Sequence, residues 1–476
     1  MNVLDWSVPY MKHFEEMTRI PHGSCNEKAY SDYLVGWAKE HGLRCVQDEL
    51  YNVVIYKSAS AGYEDHPPVI LQGHIDMVCT KTEDSNHDFQ KDPLELYIED
   101  GFLKARNTTL GGDDGVGVAY MLAILESDSL AHPPLECTFT VQEETGCIGA
   151  AGLKKEYFQA RRMTGLDDVG GGTSYVTTAG SQLVQFSRTI DWEPACDPAY
   201  ELKLSGLLGG HSGVDIDKER GNAIQLAARI LFALQKQGNL RLAWANFGTA
   251  DNVIPSYGTV RFTTDQPADA VAAEVEDWNQ IFHKELEFSD AGLQISLSSA
   301  SVDKVFSARD SQDVICFLRY LPNGMRNRSM RFENLPVASN NLGTVRVEGD
   351  TLTANNCHRG AIVSYLKDME EVQQMLCSVY HMNRKVTGFV APFDYIENSP
   401  IRAALAQAFH DVTGRELQPV CVHGGIEAGY FKEMYPEMDI VTIGPLVLDE
   451  HMVTERLDLK SFEEIWNVVV KFLASL

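Results

Sequence analysis

Carboxylate and imidazole side chains recur at the ends of apolar segments in this sequence. Glu143 and Glu144 stand side by side at the end of LECTFTVQ, a segment with the pattern of a buried strand. Two adjacent carboxylates after an apolar strand are costly unless a cation or a proton separates their roles. The pair therefore indicates a neighbouring cation or a bound proton at this position.

Two further motifs offer groups that could bind a metal ion. His74 and Asp76 lie two positions apart in GHIDMV, so on a strand both side chains point to one face. Histidine is the commonest metal ligand and a carboxylate can orient it, although an HxD pair alone is more often a solvated strand end. Asp113 and Asp114 follow a glycine pair at a predicted helix start. Helix capping explains one of these acids. A glycine pair before two acids equally suits a close approach of the backbone to a bound ion.

The remaining candidates also follow predicted strands. Asp167 and Asp168 end the segment MTGLDD, and His451 comes just after DIVTIGPLVL. In open α/β sheets, ligand sites form at the edge where the parallel strands end. Two histidines and several carboxylates at that edge suit a zinc-like ion with nitrogen and oxygen ligands.

The elements that would position these residues alternate between strand and helix patterns over the first ~185 residues. The segments 67–78 and 135–142 predict strands, and 26–42 predicts a helix. In the segment 113–127, one helical stripe is formed by Val116, Ala119, Tyr120, Ala123 and Ile124. This alternation predicts a mostly parallel sheet covered by helices.

From about Asp191 the pattern changes to longer strands with exposed faces and an amphipathic helix over 220–238. We interpret this part as an α+β insertion with an antiparallel sheet and helices on one side. Near the C-terminus, Ser399 and Pro400 suit the start of a helix that stops at Gly414. The predicted plan is a catalytic domain made of residues 1–188 and 389–476, interrupted by a second domain over 189–388.

The amino-acid composition argues against several classes of function. A hydrophobic fraction of 44% with 22% charged residues is ordinary for a soluble protein, and the net charge of −27 argues against nucleic acid or an anionic membrane as partner. No apolar run reaches the ~18 residues of a membrane span, and the N-terminal segment lacks the pattern of a signal peptide. The ten cysteines have no CxxC spacing, which predicts reduced thiols in a cytoplasmic protein.

Six motifs occur in the same order as in the bacterial aminoacyl-histidine dipeptidases, and the sequence resembles that family over essentially its whole length. They are GHIDMV, TTLGGDDG, EETG, GGHSG, RGNA and GPLVLDEH. These Xaa-His dipeptidases, also called cytosolic non-specific dipeptidases or peptidase D, belong to a clan of dinuclear zinc peptidases. The resemblance implies an α/β, mostly parallel-sheet peptidase domain that is interrupted by an α+β lid and dimerisation domain.

The resemblance also implies which residues bind the two zinc ions. His74 and Asp167 match the terminal ligands of one ion, whereas Glu144 and His451 match those of the other. Asp113 matches the carboxylate that bridges them. Co²⁺ or Mn²⁺ would be acceptable substitutes in such an oxygen-rich site.

In the same comparison Glu143 matches the general base, and Asp76 matches the residue that orients the histidine ligand. Relatives often have Asn where this chain has Asp114, and the second acid could alter metal preference or point to solvent. The peptide bond after the bridging aspartate is commonly cis in this clan. A cis bond between Asp113 and Asp114 is therefore expected.

The predicted insertion contributes further residues through the resemblance. His211 in GGHSG matches a residue that stabilises the oxyanion, often from a partner subunit. Asn252 and Arg359 resemble substrate contacts, and the planar guanidinium suits a dipeptide's terminal carboxylate. Gly425 and Glu427 in HGGIEAG are candidate substrate contacts in a glycine loop.

The activity implied is metal-dependent hydrolysis of dipeptides, with Xaa-His substrates such as β-alanyl-histidine preferred, by a homodimer. An aminoacylase-like deacylase or a broader di- or tripeptidase would use the same metals. A metal-binding scaffold without catalysis is a further alternative, and it predicts a missing ligand or base. All of the matching ligands and the matching base are present in this chain.

Overall fold

The structure is a computed structural model that describes residues 2–476. The chain divides into two compact units. The first extends up to Thr177 and includes Phe393–Cys421 and Ile426–Leu476, and the second comprises Thr178–Pro392 and Val422–Gly425. The chain thus leaves the first unit near residue 178 and returns to it near residue 393, whereas the predicted boundaries lie at 189 and 388.

The N-terminal part of the first unit alternates helices and strands. The helices are α1 (Pro9–Met17), α2 (Lys28–Glu40), α3 (Gly112–Glu126) and α4 (Ile148–Gly152). The strands are β1 (Arg44–Gln47), β2 (Val53–Lys57), β3 (Val69–His74), β4 (Leu96–Glu99), β5 (Phe102–Ala105), β6 (Leu135–Thr140), β7 (Arg162–Gly165) and β8 (Thr173–Thr178).

The second unit contains most of the strands of the protein. They are β9 (Gly180–Thr189), β10 (Trp192–Pro194), β11 (Ala199–Ser205), β12 (Gly210–His211), β13 (Leu240–Phe247), β14 (Val253–Ile254), β15 (Gly258–Thr264), β16 (Gln294–Ala300), β17 (Lys304–Phe306), β18 (Gly324–Arg328), β19 (Pro336–Glu348), β20 (Thr351–Gly360) and β21 (Asn383–Val390). Its helices are α5 (Ala223–Gln235), α6 (Ala268–Glu285), α7 (Ala308–Tyr320) and α8 (Val363–Tyr380).

The C-terminal part completes the first unit. Its elements are α9 (Pro400–Thr413), β22 (Gln418–Val422), α10 (Ala428–Met434), β23 (Asp439–Thr442), β24 (Val447–Leu448), β25 (Arg456–Asp458) and α11 (Leu459–Leu473). As predicted, α9 begins at Ser399 and Pro400: the Ser399 hydroxyl accepts the N–H of Arg402. The helix ends at Gly414, whose φ of 69° is left-handed.

The main sheet of the first unit has the strand order β1-β2-β6-β3-β7-β23. Neighbours from β6 through β23 are parallel, and β1 and β2 pair antiparallel at one side. Strands β3 and β6 are buried at every position because their apolar residues contact protein on both faces. The mostly parallel α/β sheet is confirmed, and its parallel strands all end at one edge.

Helix α3 differs from the predicted amphipathic helix. From Gly112 to Leu125 every residue except Asp113 is buried, so the helix has no solvent-facing side. It packs between β3 and α1, and the Tyr120 hydroxyl donates a hydrogen bond to the carbonyl of Phe462. All five residues of the predicted stripe are buried, and the helix differs because residues outside the stripe, such as Val118, Met121 and Leu122, are equally apolar and buried as well.

The segment 439–448 was predicted as one strand, and the structure divides it between two sheets. Strand β23 ends at Thr442, and β24 joins β25, β5 and β4 in a four-stranded antiparallel sheet. The break falls at Gly444 and Pro445: a side chain at Gly444 would lie 1.9 Å from the carbonyl oxygen of Asp168, and proline donates no ladder hydrogen bond. His451 therefore lies in the β24–β25 hairpin rather than at the end of β23.

The second unit is built on a nine-stranded sheet in the order β16-β11-β15-β13-β19-β20-β9-β21, with β18 also paired to β19. Its neighbouring strands pair antiparallel, as the sequence predicts for this region. The ten cysteines are free thiols. Within residues 2–476, no helix is long and apolar enough to cross a membrane.

Candidate active site

The sheet edge of the first unit gathers the residues singled out in the sequence. His74 is the last residue of β3, Glu143 and Glu144 follow β6, and Asp167 follows β7. Two others come from outside this sheet. Asp113 lies in the first turn of α3, and His451 lies in the β24–β25 hairpin.

Asp113 stands between the two histidines. Its Oδ1 lies 2.9 Å from Nε2 of His74, and its Oδ2 lies 3.4 Å from Nε2 of His451. Each oxygen of one carboxylate therefore faces a different imidazole. This is the arrangement that a carboxylate needs in order to bridge two metal ions.

Each histidine has a second carboxylate on its outer side. Oδ2 of Asp167 lies 4.0 Å from Nε2 of His74, and Oε1 of Glu144 lies 2.9 Å from Nε2 of His451. The five side chains thus form two groups that share Asp113. These are the same groupings that the sequence resemblance implies.

Asp76 connects His74 to the glutamate pair. Nδ1 of His74 lies 3.0 Å from the backbone carbonyl oxygen of Asp76 and 3.5 Å from its carboxylate. That carboxylate accepts hydrogen bonds from the backbone N–H groups of Glu143 at 2.9 Å and Glu144 at 3.3 Å. It also accepts a hydrogen bond from the Ser24 hydroxyl at 2.9 Å. Asp76 therefore positions the glutamate segment as well as contacting the imidazole.

Two residues absent from the sequence predictions bind the same turn. The Glu27 carboxylate accepts the N–H of Gln142 at 3.2 Å, and the Asn52 side chain accepts that of Val141 at 3.1 Å. Together with Asp76, they bind four consecutive amides of the segment 141–144. Neither Glu27 nor Asn52 belongs to a recognisable local motif, so only their three-dimensional contacts identify them.

Burial and neighbouring like charges raise the pKa values of two acids of this site, Glu143 and Asp167. Burial, followed by the charges of Asp113, Glu144 and Asp76, raises the pKa of Glu143 to about 7. Burial and the neighbouring Asp113 raise the pKa of Asp167 well above its ordinary value. Bound cations would stabilise so many carboxylates in one place.

Contacts with the neighbouring acids raise the pKa values of both histidines. Burial alone would lower the pKa of His74, but contacts with Asp113 and Asp76 raise it well above its ordinary value. Contacts with Asp113 and Glu144 raise the pKa of His451 to about 10. The same contacts, from His451 and His74, lower the pKa of Asp113 despite its burial.

The donor set fits a metal ion. Within the described part of the chain, His74, Asp113 and Glu144 offer ligand atoms that all lie within 4.8 Å of one another. Oε1 of Glu144 is buried and has no partner with hydrogen-bond geometry, although His451 is near. One buried, under-satisfied carboxylate beside imidazole nitrogens is the environment in which zinc-like ions bind.

Asp114 is buried rather than directed to solvent, so one of the two alternatives left open by the sequence is excluded. Its side chain is 1% exposed; Oδ1 accepts the N–H of Gly117 at 3.1 Å, and Oδ2 has no partner. Oδ2 occupies space beside Gly73, where a Cβ would lie 2.2 Å away. The peptide bond between Asp113 and Asp114 is cis, as expected from the resemblance.

Glu427, a predicted substrate contact, lies inside the first unit. Its Oε2 accepts hydrogen bonds from the Thr140 hydroxyl at 2.5 Å and from Nε2 of Gln72 at 2.6 Å. Its Oε1 is buried without a partner, and burial raises the pKa of the carboxyl well above its ordinary value. Glu427 therefore links β3 to β6 beneath the sheet edge.

The second unit contains the other predicted residues. Arg359 is 6% exposed, and its guanidinium makes only long contacts, 3.4 Å to the Ser212 hydroxyl and 3.5 Å to Nε2 of His211. In residues 2–476, no carboxylate forms an ion pair with it. Asn252 reaches this group through its backbone, since its carbonyl accepts the N–H of Ser212 at 2.8 Å.

Gly425 belongs to a short segment, 422–425, that packs in the second unit. A Cβ at Gly425 would lie 2.4 Å from a methyl group of Val390, so only glycine fits there. In the same segment His423 is buried and its Nε2 lies 2.7 Å from the Ser339 hydroxyl. His423 was missed in the sequence, where the HGGIEAG motif drew attention to Gly425 and Glu427.

Comparison with known proteins agrees with this fold. The sequence matches the profile of peptidase family M20/M25/M40 over residues 70–475. The chain belongs to this family and is a peptidase. The family predicted from the sequence motifs is confirmed.

Two relatives are similar over nearly their whole length. The chain is 34% identical over 475 residues to the cytosol non-specific dipeptidase of Escherichia coli, covering 98% of this chain and 97% of the relative. The crystal structure of aminoacylhistidine dipeptidase from Vibrio alginolyticus has a TM-score of 0.90 at 31% identity, covering 98% and 96% of the two chains. A metallo-carboxypeptidase of the same family from Sulfolobus solfataricus shares the fold, with a TM-score of 0.56 at 14% identity and 98% of each chain covered.

Proposed function

We propose that this protein is a metal-dependent dipeptidase that prefers Xaa-His dipeptides such as β-alanyl-histidine. The observation that carries the proposal is the position of Asp113, with one carboxylate oxygen facing each of two histidines. The two similar relatives, a cytosol non-specific dipeptidase and an aminoacylhistidine dipeptidase, support the substrate class.

Two zinc ions per subunit would be held by the two groups around Asp113. His74 and Asp167 would bind one ion and Glu144 and His451 the other, with Asp113 shared. Bound zinc supplies Lewis-acid chemistry, polarising the scissile carbonyl and acidifying water. Co²⁺ or Mn²⁺ would serve as substitutes because the donors are mostly oxygen.

Glu143 is the general base in this proposal. Its backbone N–H is bound by Asp76, so the carboxyl is held at the turn after β6. It accepts a proton from the attacking water and delivers that proton to the leaving amine. Burial and neighbouring acids raise its pKa to about 7.

Substrate recognition is assigned to the second unit. A buried guanidinium without an ion-pair partner is costly, and a dipeptide's terminal carboxylate would satisfy both edges of Arg359. His211, beside Arg359, would stabilise the developing oxyanion. Asn252, Gly425 and Glu427 are the further substrate contacts that the resemblance implies. A homodimer in the cytoplasm, with His211 acting from the partner subunit, completes the proposal.

The test is metal removal followed by a comparison of substrates. We expect EDTA-treated protein to lose β-alanyl-histidine hydrolysis and to regain it when Zn²⁺ is added, with two ions per subunit by elemental analysis. Hydrolysis of N-acetyl amino acids and of tripeptides should be much slower. Activity that survives complete metal removal would contradict the mechanism, and faster turnover of N-acetyl amino acids or tripeptides would contradict the substrate class.

A further inference from the structure

A buried glutamate outside the predicted ligand set lies behind Asp113. Glu455 is 3% exposed and accepts hydrogen bonds from three consecutive backbone N–H groups. Its Oε2 accepts those of Leu110 at 2.8 Å and Gly111 at 3.2 Å, and its Oε1 accepts that of Gly112 at 2.7 Å. These amides immediately precede Asp113.

The three amides need an acceptor that the helix cannot provide. The first N–H groups of an α-helix have no intrahelical partner. At the start of α3, Gly111 has a left-handed φ of 70° and gives no side-chain cap, and Asp113 and Asp114 depart from helical backbone angles. Glu455 is therefore the acceptor that fixes the backbone from which Asp113 projects.

Glu455 also belongs to the hairpin that carries His451. Strands β24 and β25 pair through Val447 with Leu457 and Leu448 with Arg456, and Glu455 precedes β25. Within the connecting turn the N–H of Glu455 donates to the carbonyl of Met452 at 3.0 Å. The hairpin is thus attached to the start of α3 at Glu455, while His451 faces Asp113 at 3.4 Å.

We propose that Glu455 is a positioning residue, which holds Asp113 and His451 at the separation needed to bind metal by joining their two backbone segments. This inference rests on the proposed function, because it assigns Asp113 and His451 to the metal site. Glu455 itself touches neither the substrate nor the metal in this proposal. Its contribution is the geometry of the two ligands.

The hydrogen bonds from the backbone N–H groups of Leu110, Gly111 and Gly112 require both oxygens of the Glu455 carboxylate. A glutamine at this position would direct its NH₂ group at one of the three backbone N–H groups, so donor would face donor. Glu136 offers a matched control: it is 5% exposed and accepts the N–H of Gln159 at 2.8 Å through Oε1 and that of Ala160 at 3.3 Å through Oε2. It lies at the start of β6, away from the residues of the site.

The experiment compares Glu455→Gln with Glu136→Gln in the full-length protein. Zn²⁺ is titrated into each metal-stripped protein by calorimetry, and thermal midpoints, kcat and KM are measured with β-alanyl-histidine. Both variants should lose a few degrees of thermal midpoint. Only Glu455→Gln should bind Zn²⁺ about 10- to 100-fold more weakly, the range typical of groups that orient metal ligands. It should also lower kcat with KM nearly unchanged, and saturating Zn²⁺ should restore part of the kcat.

Equal Zn²⁺ affinity and kcat in the two variants would overturn the proposal for Glu455. If the unsubstituted protein neither binds Zn²⁺ nor hydrolyses the dipeptide, the proposed function fails instead, so the two failures are distinguishable. Should Glu455→Gln not fold, amide hydrogen exchange in the unsubstituted, metal-stripped protein decides the question. Slow exchange at Leu110, Gly111 and Gly112 is expected, and exchange as fast as in an open loop would overturn the proposal.

Discussion

The two units of this protein gather side chains of opposite charge. The first concentrates carboxylates at the edge of a parallel sheet, balanced only by two histidines: these side chains are His74, Asp113, Glu143, Glu144, Asp167 and His451. The second buries a guanidinium, Arg359, among hydroxyl and imidazole groups. Within residues 2–476, the two histidines do not offset all of these carboxylates, and no carboxylate pairs with Arg359.

This difference indicates what each unit would bind. An excess of buried carboxylates is stabilised by cations, and a buried guanidinium is stabilised by an anion. In the proposed function, a dipeptide offers a scissile carbonyl that needs polarisation and a terminal carboxylate that needs a cation.

The largest effect is expected in the first unit from Glu143→Gln. Glutamine keeps the shape of the side chain but cannot accept the proton from water, so kcat should fall by about 10²- to 10⁴-fold. Metal content should be unchanged because Glu143 is not assigned as a ligand. Steady-state kinetics on β-alanyl-histidine with elemental analysis checks both expectations. A fully active variant would remove Glu143 as the base.

In the second unit, Arg359→Met should weaken substrate binding. Loss of charge-assisted hydrogen bonds to the terminal carboxylate should raise KM about 10- to 100-fold. A dipeptide with an amidated C-terminus should be insensitive to the change, because it lacks the anion. Arg229→Met is a suitable control, since Arg229 pairs with Glu285 at 2.5 Å on the same unit. Equal losses with free and amidated substrates would contradict the assignment of Arg359.

The second unit should also carry its own pH dependence of stability. Burial, assisted by the charge of Arg384, lowers the pKa of His358 from 6.5 to about 4. The folded state therefore binds fewer protons than the unfolded state between these values. The contribution of His358 to the free energy of unfolding is fully present above pH 6.5. It falls as the pH drops toward 4 and is about 2 kcal/mol smaller at pH 5.

His358→Asn should remove that part of the pH dependence. Asparagine can still accept the hydrogen bond that Nε2 of Gln373 makes to Nδ1 of His358 at 3.1 Å, but it does not titrate. The difference in free energy of unfolding between pH 7.5 and pH 5, measured with urea, should shrink by about 2 kcal/mol. His283→Asn on the exposed side of α6 should leave the difference unchanged. An identical pH dependence in His358→Asn and the unsubstituted protein would contradict the prediction.

The smallest effect is expected from Asp114→Asn in the first unit. Asp114 is buried, and one of its oxygens has no partner, so the amide removes a buried acid without changing its volume. We expect kcat within about threefold and an equal or higher thermal midpoint. Asp113→Asn, by contrast, should lose metal and activity. Comparable losses in the two variants would show that Asp114 has a direct function at the site.

Local patterns were sufficient to predict much of the site. A buried parallel strand is a short apolar run, and its end is marked where polar residues begin, as at His74, Glu143 and Asp167. The rule that parallel strands end at a common edge then brings these side chains together. The order of the six motifs supplied the family and the residue groupings.

Other features depend on contacts between residues distant in the sequence, which a local sequence pattern does not indicate. Helix α3 reads as amphipathic only if its less apolar side is assumed to face water, and the structure covers that side as well. The strand predicted over 439–448 contains a break whose reason, the close approach of Gly444 to Asp168, lies far away in the sequence. The acceptors Glu27, Asn52 and Glu455 are isolated polar residues with no motif around them.

The sequence by itself determined the kinds of residue available, the strands that end in them and the class of enzyme. These properties depend on side-chain chemistry and on periodicities of a few residues. Only the tertiary structure decided that the two oxygens of Asp113 face different histidines, and that Arg359 is buried without a carboxylate partner. Such relations join residues that are not neighbours in the sequence, and their distances are set by the packing of the whole unit.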